Sequence, residues 1–181
     1  MKPLITHNLR IRPFQESDGL PFVEAARESV TSVGTWLPWC HDNYTLAEAA
    51  SWFALCAQNA KSGSAYEFGV FSTDTNDLLG GIAINQLNRN HNFGNVGYWV
   101  RQSQQRKGVA SQAVTAIANY GFQELKLTRL EIVVAEDNRA SRRIAEKVGA
   151  VFECIARNRL IIRGTPYAAA IYSLLPEQSA F

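Results

Sequence analysis

A short apolar strand, a basic loop and an amphipathic helix follow one another without interruption over residues 95–127. Residues 96–100 are apolar and aromatic, which favours a strand, and residues 101–107 are polar and basic. Free backbone N–H groups in such a loop and in the first helical turn form an anion site. Gly108 permits close approach to the backbone, and Arg106 and Lys107 add positive charge, so we predict that this turn binds a pyrophosphate; an ordinary polar loop before a helix is the alternative. The helix is predicted from small and apolar residues at steps of three and four, namely Ala110, Ala113, Val114, Ile117, Gly121 and Leu125.

The remaining segments predict a sheet flanked by helices. Apolar or alternating runs indicate strands over residues 9–14, 66–71, 78–84, 93–100, 130–135, 151–162 and 167–175. Further helices are expected after Ser17 or Asp18, after Thr45 with Glu48 as a capping box, and after Asn138. Short turns join residues 66–100 as an antiparallel meander, and residues 96–135 form a βαβ unit. We therefore predict one α/β domain, residues 1–181, with a largely antiparallel sheet.

Composition excludes several other classes of protein. Eighteen Lys and Arg against sixteen Asp and Glu leave a charge of only +2, so no extensive nucleic-acid surface is indicated. No apolar run approaches the length of a membrane span, and the start lacks the apolar core of a signal peptide. The three cysteines are far apart, which indicates neither a disulfide framework nor a zinc site. A cytoplasmic protein that binds no metal is the simplest expectation.

Two motifs resemble those of the GNAT acetyltransferases. Gln105-x-x-Gly108-x-Ala110 is similar to the acetyl-CoA loop of that family, and Asn138-x-x-Ser141 with Lys147-x-Gly149 is similar to its second motif. The RimJ/RimL branch, which contains ribosomal-protein N-terminal acetyltransferases, has further matching segments. Those segments are Trp36-Leu37-Pro38-Trp39, Val96-Gly97-Tyr98-Trp99 and Glu153-Cys154-Ile155-Ala156-Arg157. The resemblance extends over about residues 8–176.

The resemblance implies a mixed, mostly antiparallel twisted sheet of about seven strands, flanked by about four helices. Its two central strands splay apart, and acetyl-CoA enters the gap with its pyrophosphate on residues 106–111 and its pantetheine along Val100 and Arg101. Asn138 and Ser141 match positions that touch the cofactor arm, although Asn138 also fits a plain helix cap and Arg143 a solvated helix charge. The implied cofactor-binding residues are Val100, Arg101, Gln105, Arg106, Lys107, Gly108, Val109, Ala110, Ser111, Asn138, Ser141 and Arg143.

The catalytic groups of this family are partly replaced in this sequence. Asn95 stands where relatives often carry a glutamate and cannot accept a proton, and Ala145 stands where many carry an acidic tyrosine. The resemblance leaves Ser141 as the group that protonates or steadies the departing thiolate, and Glu153 as the candidate base. Glu153 also fits a structural carboxylate paired with a nearby arginine of its own strand, either Arg157 or Arg159.

The acceptor is expected to be a primary amine. An α-amine has a pKa near 8 and a lysine amine a pKa near 10.4, so an enzyme with a weak base suits the α-amine better. The resemblance implies the N-terminus of a ribosomal protein, with Trp36, Trp39 and Asn95 at the acceptor pocket. The alternative for the two tryptophans is that they pack at the edge of the core. A small amine (polyamine, amino acid or antibiotic) and a non-catalytic acyl-CoA sensor are the alternatives. A homodimer is the assembly that the resemblance implies.

Overall fold

The computed structural model describes residues 2–176. Its sheet contains eight strands in the order β1-β2-β3-β4-β5-β6-β8-β7, and every neighbouring pair is antiparallel except β5 and β6. The strands are β1 Leu4–Ile5, β2 Leu9–Arg12, β3 Tyr66–Ser72, β4 Leu78–Asn88, β5 Phe93–Val100, β6 Arg129–Ala135, β7 Val151–Ile162 and β8 Thr165–Leu174. The helices are α1 Gly19–Glu28, α2 Leu46–Ser62, α3 Val109–Gln123 and α4 Arg139–Lys147. The predicted mixed, mostly antiparallel fold is confirmed; the unpredicted eighth strand is the two-residue β1.

Side-chain hydrogen bonds fix the ends of two helices as the sequence predicted. The hydroxyl of Thr45 accepts from the N–H of Glu48, whose carboxylate accepts from Thr45 in return. The side chain of Asn138 accepts from the N–H of Ser141 at the start of α4. The start of α1 differs, because the carboxylate of Asp18 makes no helix cap and instead accepts two hydrogen bonds from Arg12, at 2.6 and 2.8 Å.

Two apolar clusters pack on opposite faces of the sheet. Strand side chains alternate between the faces: Phe68, Ile82 and Val96 join the cluster under α3 and α4, whereas Trp99 packs with the cluster under α1 and α2. No helix of the described residues is long and apolar enough to cross a membrane.

Candidate active site

A cavity opens where the two central strands diverge. Strands β5 and β6 pair in parallel only where Phe93, Gly94 and Asn95 meet residues 129–131, and beyond that point their backbones separate. The cavity has a volume of about 860 Å³ and is lined from β3, β4, β5, β6, α3, α4 and the loop that contains Trp36 and Trp39. It therefore connects the two faces of the sheet.

The turn before α3 presents a run of unused backbone donors to this cavity. Arg106 and Gly108 both have positive φ, at 64° and 82°, and Arg106, Gly108, Val109, Ala110 and Ser111 line the cavity. Within residues 2–176, none of the N–H groups of residues 106–111 has an acceptor. Consecutive N–H groups in such a turn form a concave anion site. The residues present fit a pyrophosphate.

Two cations on one face of α4 lie at the same cavity. Arg143 and Lys147 are four residues apart, which places them on one side of a helix, and both line the cavity together with Asn138 and Ser141. Lys147 was not among the predicted site residues. Its i, i+4 spacing from Arg143 is the sequence signal that identifies it.

The side chains of two predicted cofactor residues are used elsewhere. The N–H of Arg101 donates to the carbonyl of Leu79 at 2.8 Å, and its guanidinium binds Glu28. The ammonium of Lys107 donates to the side chain of Gln104 at 3.0 Å. Neither residue lines the cavity. Arg101 is bound by the sheet and by α1, and we do not propose that it holds the pantetheine.

Gln105 connects the loop to its surroundings. Its side-chain amide donates to the carbonyl of Val100 and to the hydroxyl of Ser32, each at 3.0 Å. Both Gln105 and Val100 line the cavity, so this amide holds the end of β5 and the anion-binding turn in a fixed relation.

A pair of hydroxyl groups crosses the gap between β5 and α4. The Tyr98 hydroxyl lies 2.8 Å from Oγ of Ser141 and also donates to the carbonyl of Ser141 at 3.0 Å. Burial raises the pKa of Tyr98 to about 12, so the phenol keeps its proton at neutral pH. In the sequence Tyr98 stands out only as part of a motif, because Ser141 lies forty-three residues further along the chain.

Glu153, the predicted base, is not brought to the cavity. It lies on β7, and its two carboxylate oxygens accept from the guanidinium of Arg129 at 2.7 and 2.6 Å; neither Arg157 nor Arg159 is the partner. The hydrogen bond from Arg129 lowers the pKa of Glu153 to about 2. A general base works best with a pKa near the operating pH, so this carboxylate is poorly suited to the role.

The loop that contains Trp36 and Trp39 packs against the core and also lines the cavity. Trp39 has its ring centroid 5.3 Å from that of Trp99 and 5.8 Å from that of Phe22, so it belongs to the cluster under α1 and α2. Both Trp36 and Trp39 also line the cavity, as does Asn95. The side-chain amide of Asn95 donates to Asn85 at 2.9 Å. The aromatic end of the cavity thus lies on the sheet face opposite α3 and α4.

Comparison with known proteins agrees with this geometry. The acetyltransferase (GNAT) domain family matches residues 8–151. The uncharacterized N-acetyltransferase YoaA of Bacillus subtilis is 34% identical over 60% of this chain and 61% of its own length. The ribosomal-protein-serine acetyltransferase of Escherichia coli is 32% identical over half of each chain. The alignments with these two relatives thus span less than two thirds of either.

Solved structures agree over nearly the whole chain. "A putative ribosomal-protein-serine acetyltransferase" from Vibrio cholerae superposes with a TM-score of 0.86 at 32% identity, covering 97% of this chain and 98% of that one. RimL, a ribosomal L7/L12 α-N-protein acetyltransferase solved with coenzyme A, superposes with a TM-score of 0.87 at 18% identity, covering 96% and 98%. At 18% identity, the similarity to RimL shows a shared fold only.

Proposed function

The chain belongs to the GNAT acetyltransferase family, and from that premise we propose that it transfers the acetyl group of acetyl-CoA to a primary amine, namely the N-terminal α-amine of a ribosomal protein. The observation that carries the transfer is the row of N–H groups of residues 106–111, which lack acceptors and open into the gap between β5 and β6. The choice of acceptor is supported by two similar proteins, from Escherichia coli and Vibrio cholerae, whose names specify a ribosomal-protein serine.

Different residues of the cavity are proposed to have different roles. The amides of residues 106–111 bind the pyrophosphate, and Arg143 and Lys147 supply positive charge beside it. Acetyl-CoA, when bound, supplies the activated thioester. Tyr98, together with Ser141, provides the proton for the departing thiolate, since these hydroxyl groups are the pair that bridges the gap.

Bond formation needs an uncharged nitrogen, and this favours an α-amine acceptor. Near neutral pH about a tenth of an α-amine is neutral but only about one part in 2,500 of a lysine amine. The difference of about 2.4 pKa units corresponds to about 3.3 kcal/mol of deprotonation cost.

Release of CoA from acetyl-CoA, measured against a mixed panel of acceptors, tests the proposal. The panel contains short peptides with free N-termini, the same peptides N-acetylated, polyamines, amino acids and aminoglycosides. We expect turnover on the free peptides alone. Turnover on a small amine alone would replace the peptide with that substrate class, and bound acetyl-CoA without any turnover would favour a sensor.

Assembly and location remain predictions of the same proposal. The chain is proposed to be a single domain of the cytoplasm that forms a homodimer. Strand β7 lies at the edge of the sheet and exposes Val151, Phe152, Ile155 and Ile161, which supports pairing with a second copy along this edge. Sedimentation of the protein tests the dimer, and a monomer at micromolar concentration would contradict it.

A further inference from the structure

A carboxylate lies buried in the cavity with one oxygen unused. Glu67 of β3 is 9% exposed and lines the cavity. Its Oε1 accepts a hydrogen bond from the side chain of Asn59 on α2 at 3.1 Å. Its Oε2 is buried and has no partner within residues 2–176. A buried charged oxygen without a partner is costly, so an unpartnered oxygen on a residue that lines a cavity indicates a ligand that donates a hydrogen bond.

The strand pairing places Glu67 on the acceptor side of the sheet. Glu67 pairs with Ala83 on β4, and Ala83 pairs with Gly97 on β5. Asn95 lies two residues from Gly97 and therefore projects from the same face. Tyr98 follows Gly97 on β5 and projects from the other face, where its hydroxyl contacts Ser141 of α4. Glu67 and Asn95 therefore lie on the face opposite α3 and α4. Glu67 thus faces the aromatic end of the cavity.

Small residues keep the space in front of Glu67 open. Ala83 and Gly97, its neighbours across two strands, carry almost no side chain, and both line the cavity. The other buried polar side-chain atom without a partner among the described residues is Oδ1 of Asn95, on the same face. Within residues 2–176, two acceptor oxygens without partners thus belong to residues on this face that line the cavity beside Trp36 and Trp39. This chemistry matches a cationic N–H donor.

We propose that Glu67 binds the acceptor amine as its ammonium ion and removes the proton before attack. This inference rests on the acetyl transfer proposed above and adds the group that sequence comparison does not supply. The role of Asn95 is to accept a second N–H of the acceptor.

The proton and electron balance of this step is complete. The ammonium gives one proton to Oε2 of Glu67, and the freed nitrogen lone pair forms the bond to the acetyl carbon while the C–S bond breaks. The thiolate takes a proton from the pair formed by Tyr98 and Ser141, and the second nitrogen proton replaces it through solvent. Glu67 then releases its proton to water. The sum is an amide, a thiol and one proton.

The surroundings of Glu67 favour this role. Burial raises the pKa of Glu67 above that of an ordinary glutamate, which makes it a stronger base. From α2 it is approached by Asn59 and Cys56, from β4 by Ala83 and from β5 by Gly97. Among these only Cys56 titrates, and burial together with Glu67 raises its pKa to about 12. The thiol therefore stays neutral and supplies no competing charge.

The test replaces Glu67 with Gln, whose side-chain oxygen can still accept from Asn59. We expect kcat/KM for the amine at neutral pH to fall about 100-fold, the scale of general base catalysis, with the Kd of acetyl-CoA unchanged. The wild-type rate should fall as pH drops through the raised pKa of Glu67, and this acidic limb should vanish in E67Q. Instead, the variant's rate should rise about tenfold per pH unit until the amine itself is neutral. Glu24→Gln, the same change at an exposed position of α1, is the matched control.

The melting temperature of E67Q distinguishes the proposed role of Glu67 in proton removal from a purely structural role. Because the folded-state pKa of Glu67 is raised, the ionised carboxylate destabilises the folded protein as pH rises through that pKa. E67Q should therefore melt at the same temperature as the wild type or higher at neutral pH. A lower melting temperature together with an unchanged pH profile would overturn the proposal.

A binding measurement distinguishes failure of this inference from failure of the proposed function. Calorimetry on the CoA-bound protein compares a serine-initiated peptide with its N-acetylated twin. We expect the wild type to bind the free amine more tightly and E67Q to bind both equally. If the wild type shows this preference but no turnover, the amine site stands and the proposed catalysis fails. If the wild type turns over and E67Q retains the preference and the rate, the assignment of Glu67 is wrong.

Discussion

The two ends of the cavity are built in different ways. The proposed cofactor end consists of two short stretches, residues 105–111 and 138–147, which contribute backbone amides, a helix cap and one helix face. The proposed acceptor end is assembled from single residues on separate elements, Trp36, Trp39, Glu67 and Asn95. The first end depends on local conformation, and the second depends on how strands pair. A change at one end is therefore expected to leave the other intact, whereas removal of the Tyr98 hydroxyl, at its junction with Ser141, should affect transfer alone.

The junction gives the largest expected effect. Tyr98→Phe removes the hydroxyl that contacts Ser141 at 2.8 Å and should lower kcat about 100-fold, the scale of general acid catalysis. The Kd of acetyl-CoA and the KM of the amine should change less than about twofold, because the ring remains in place. Steady-state kinetics with calorimetry of acetyl-CoA measures both.

The matched control is Tyr120→Phe, because Tyr120 is another partly buried tyrosine of the core and does not line the cavity. A double variant with Ser141→Ala should lose little beyond the single one, since two groups that act as a unit are not additive. The pKa of Tyr98, raised to about 12 by burial, also predicts no loss of kcat from this group between about pH 6 and 10. If the losses caused by Tyr98→Phe and Ser141→Ala add fully, the two hydroxyl groups act independently.

The cofactor end is tested by Gly108→Val. Gly108 has a φ of 82°, and a non-glycine residue in that region costs about 1–2 kcal/mol. If the turn relaxes to avoid this strain, the N–H groups of residues 106–111 no longer converge. We expect the Kd of acetyl-CoA to rise about tenfold or more, at about 1.4 kcal/mol per factor of ten, without loss of the preference for a free amine.

Gly164→Val provides the control for backbone strain. Gly164 has a φ of 79°, and nothing lies within 4 Å of the position of an added Cβ, so it carries the same conformational penalty in a turn that does not line the cavity. The melting temperature of both variants should fall by a similar amount, but only G108V should lose affinity for acetyl-CoA. Equal affinities in the two variants would mean that the turn before α3 does not hold the cofactor.

The same contrast explains what could be predicted from the sequence. Gly108, Asn138 and Ser141 were identified because each lies in a continuous motif whose spacing carries its own geometry. Glu67 was missed as a functional group because nothing adjacent in the chain distinguishes it: Glu67 acquires its role from Ala83 and Gly97 on two neighbouring strands. Tyr98 lies in a motif, but its partner Ser141 is forty-three residues further along the chain. A residue beside such a motif can also be used structurally, as Arg101 is by Leu79 and Glu28. A motif thus predicts the path of the backbone better than the partner of each side chain.

Glu153 illustrates the smallest effect and sharpens the contrast with Glu67. Both are glutamates on strands, but Glu153 is paired with Arg129 and its pKa is lowered to about 2, whereas the pKa of Glu67 is raised by burial. Glu153→Gln should therefore change kcat less than about twofold. Its side chain is 37% exposed, so after solvent screening the lost ion pair should cost less than about 1 kcal/mol of unfolding free energy.

The pH dependence of that cost provides the decisive measurement. A carboxylate with a lowered folded-state pKa stabilises the protein above its unfolded pKa of about 4.3, and this contribution is lost as pH falls through about 2. Urea unfolding of the wild type and E153Q should differ at neutral pH and converge as the pH is lowered from about 4 toward 2. A loss of kcat beyond about tenfold would return Glu153 to the list of candidate bases. A difference in unfolding free energy that persists at the acidic end would mean that the ion pair with Arg129 is not its source. Convergence with an unchanged rate would leave Glu67 as the carboxylate whose ionisation controls transfer.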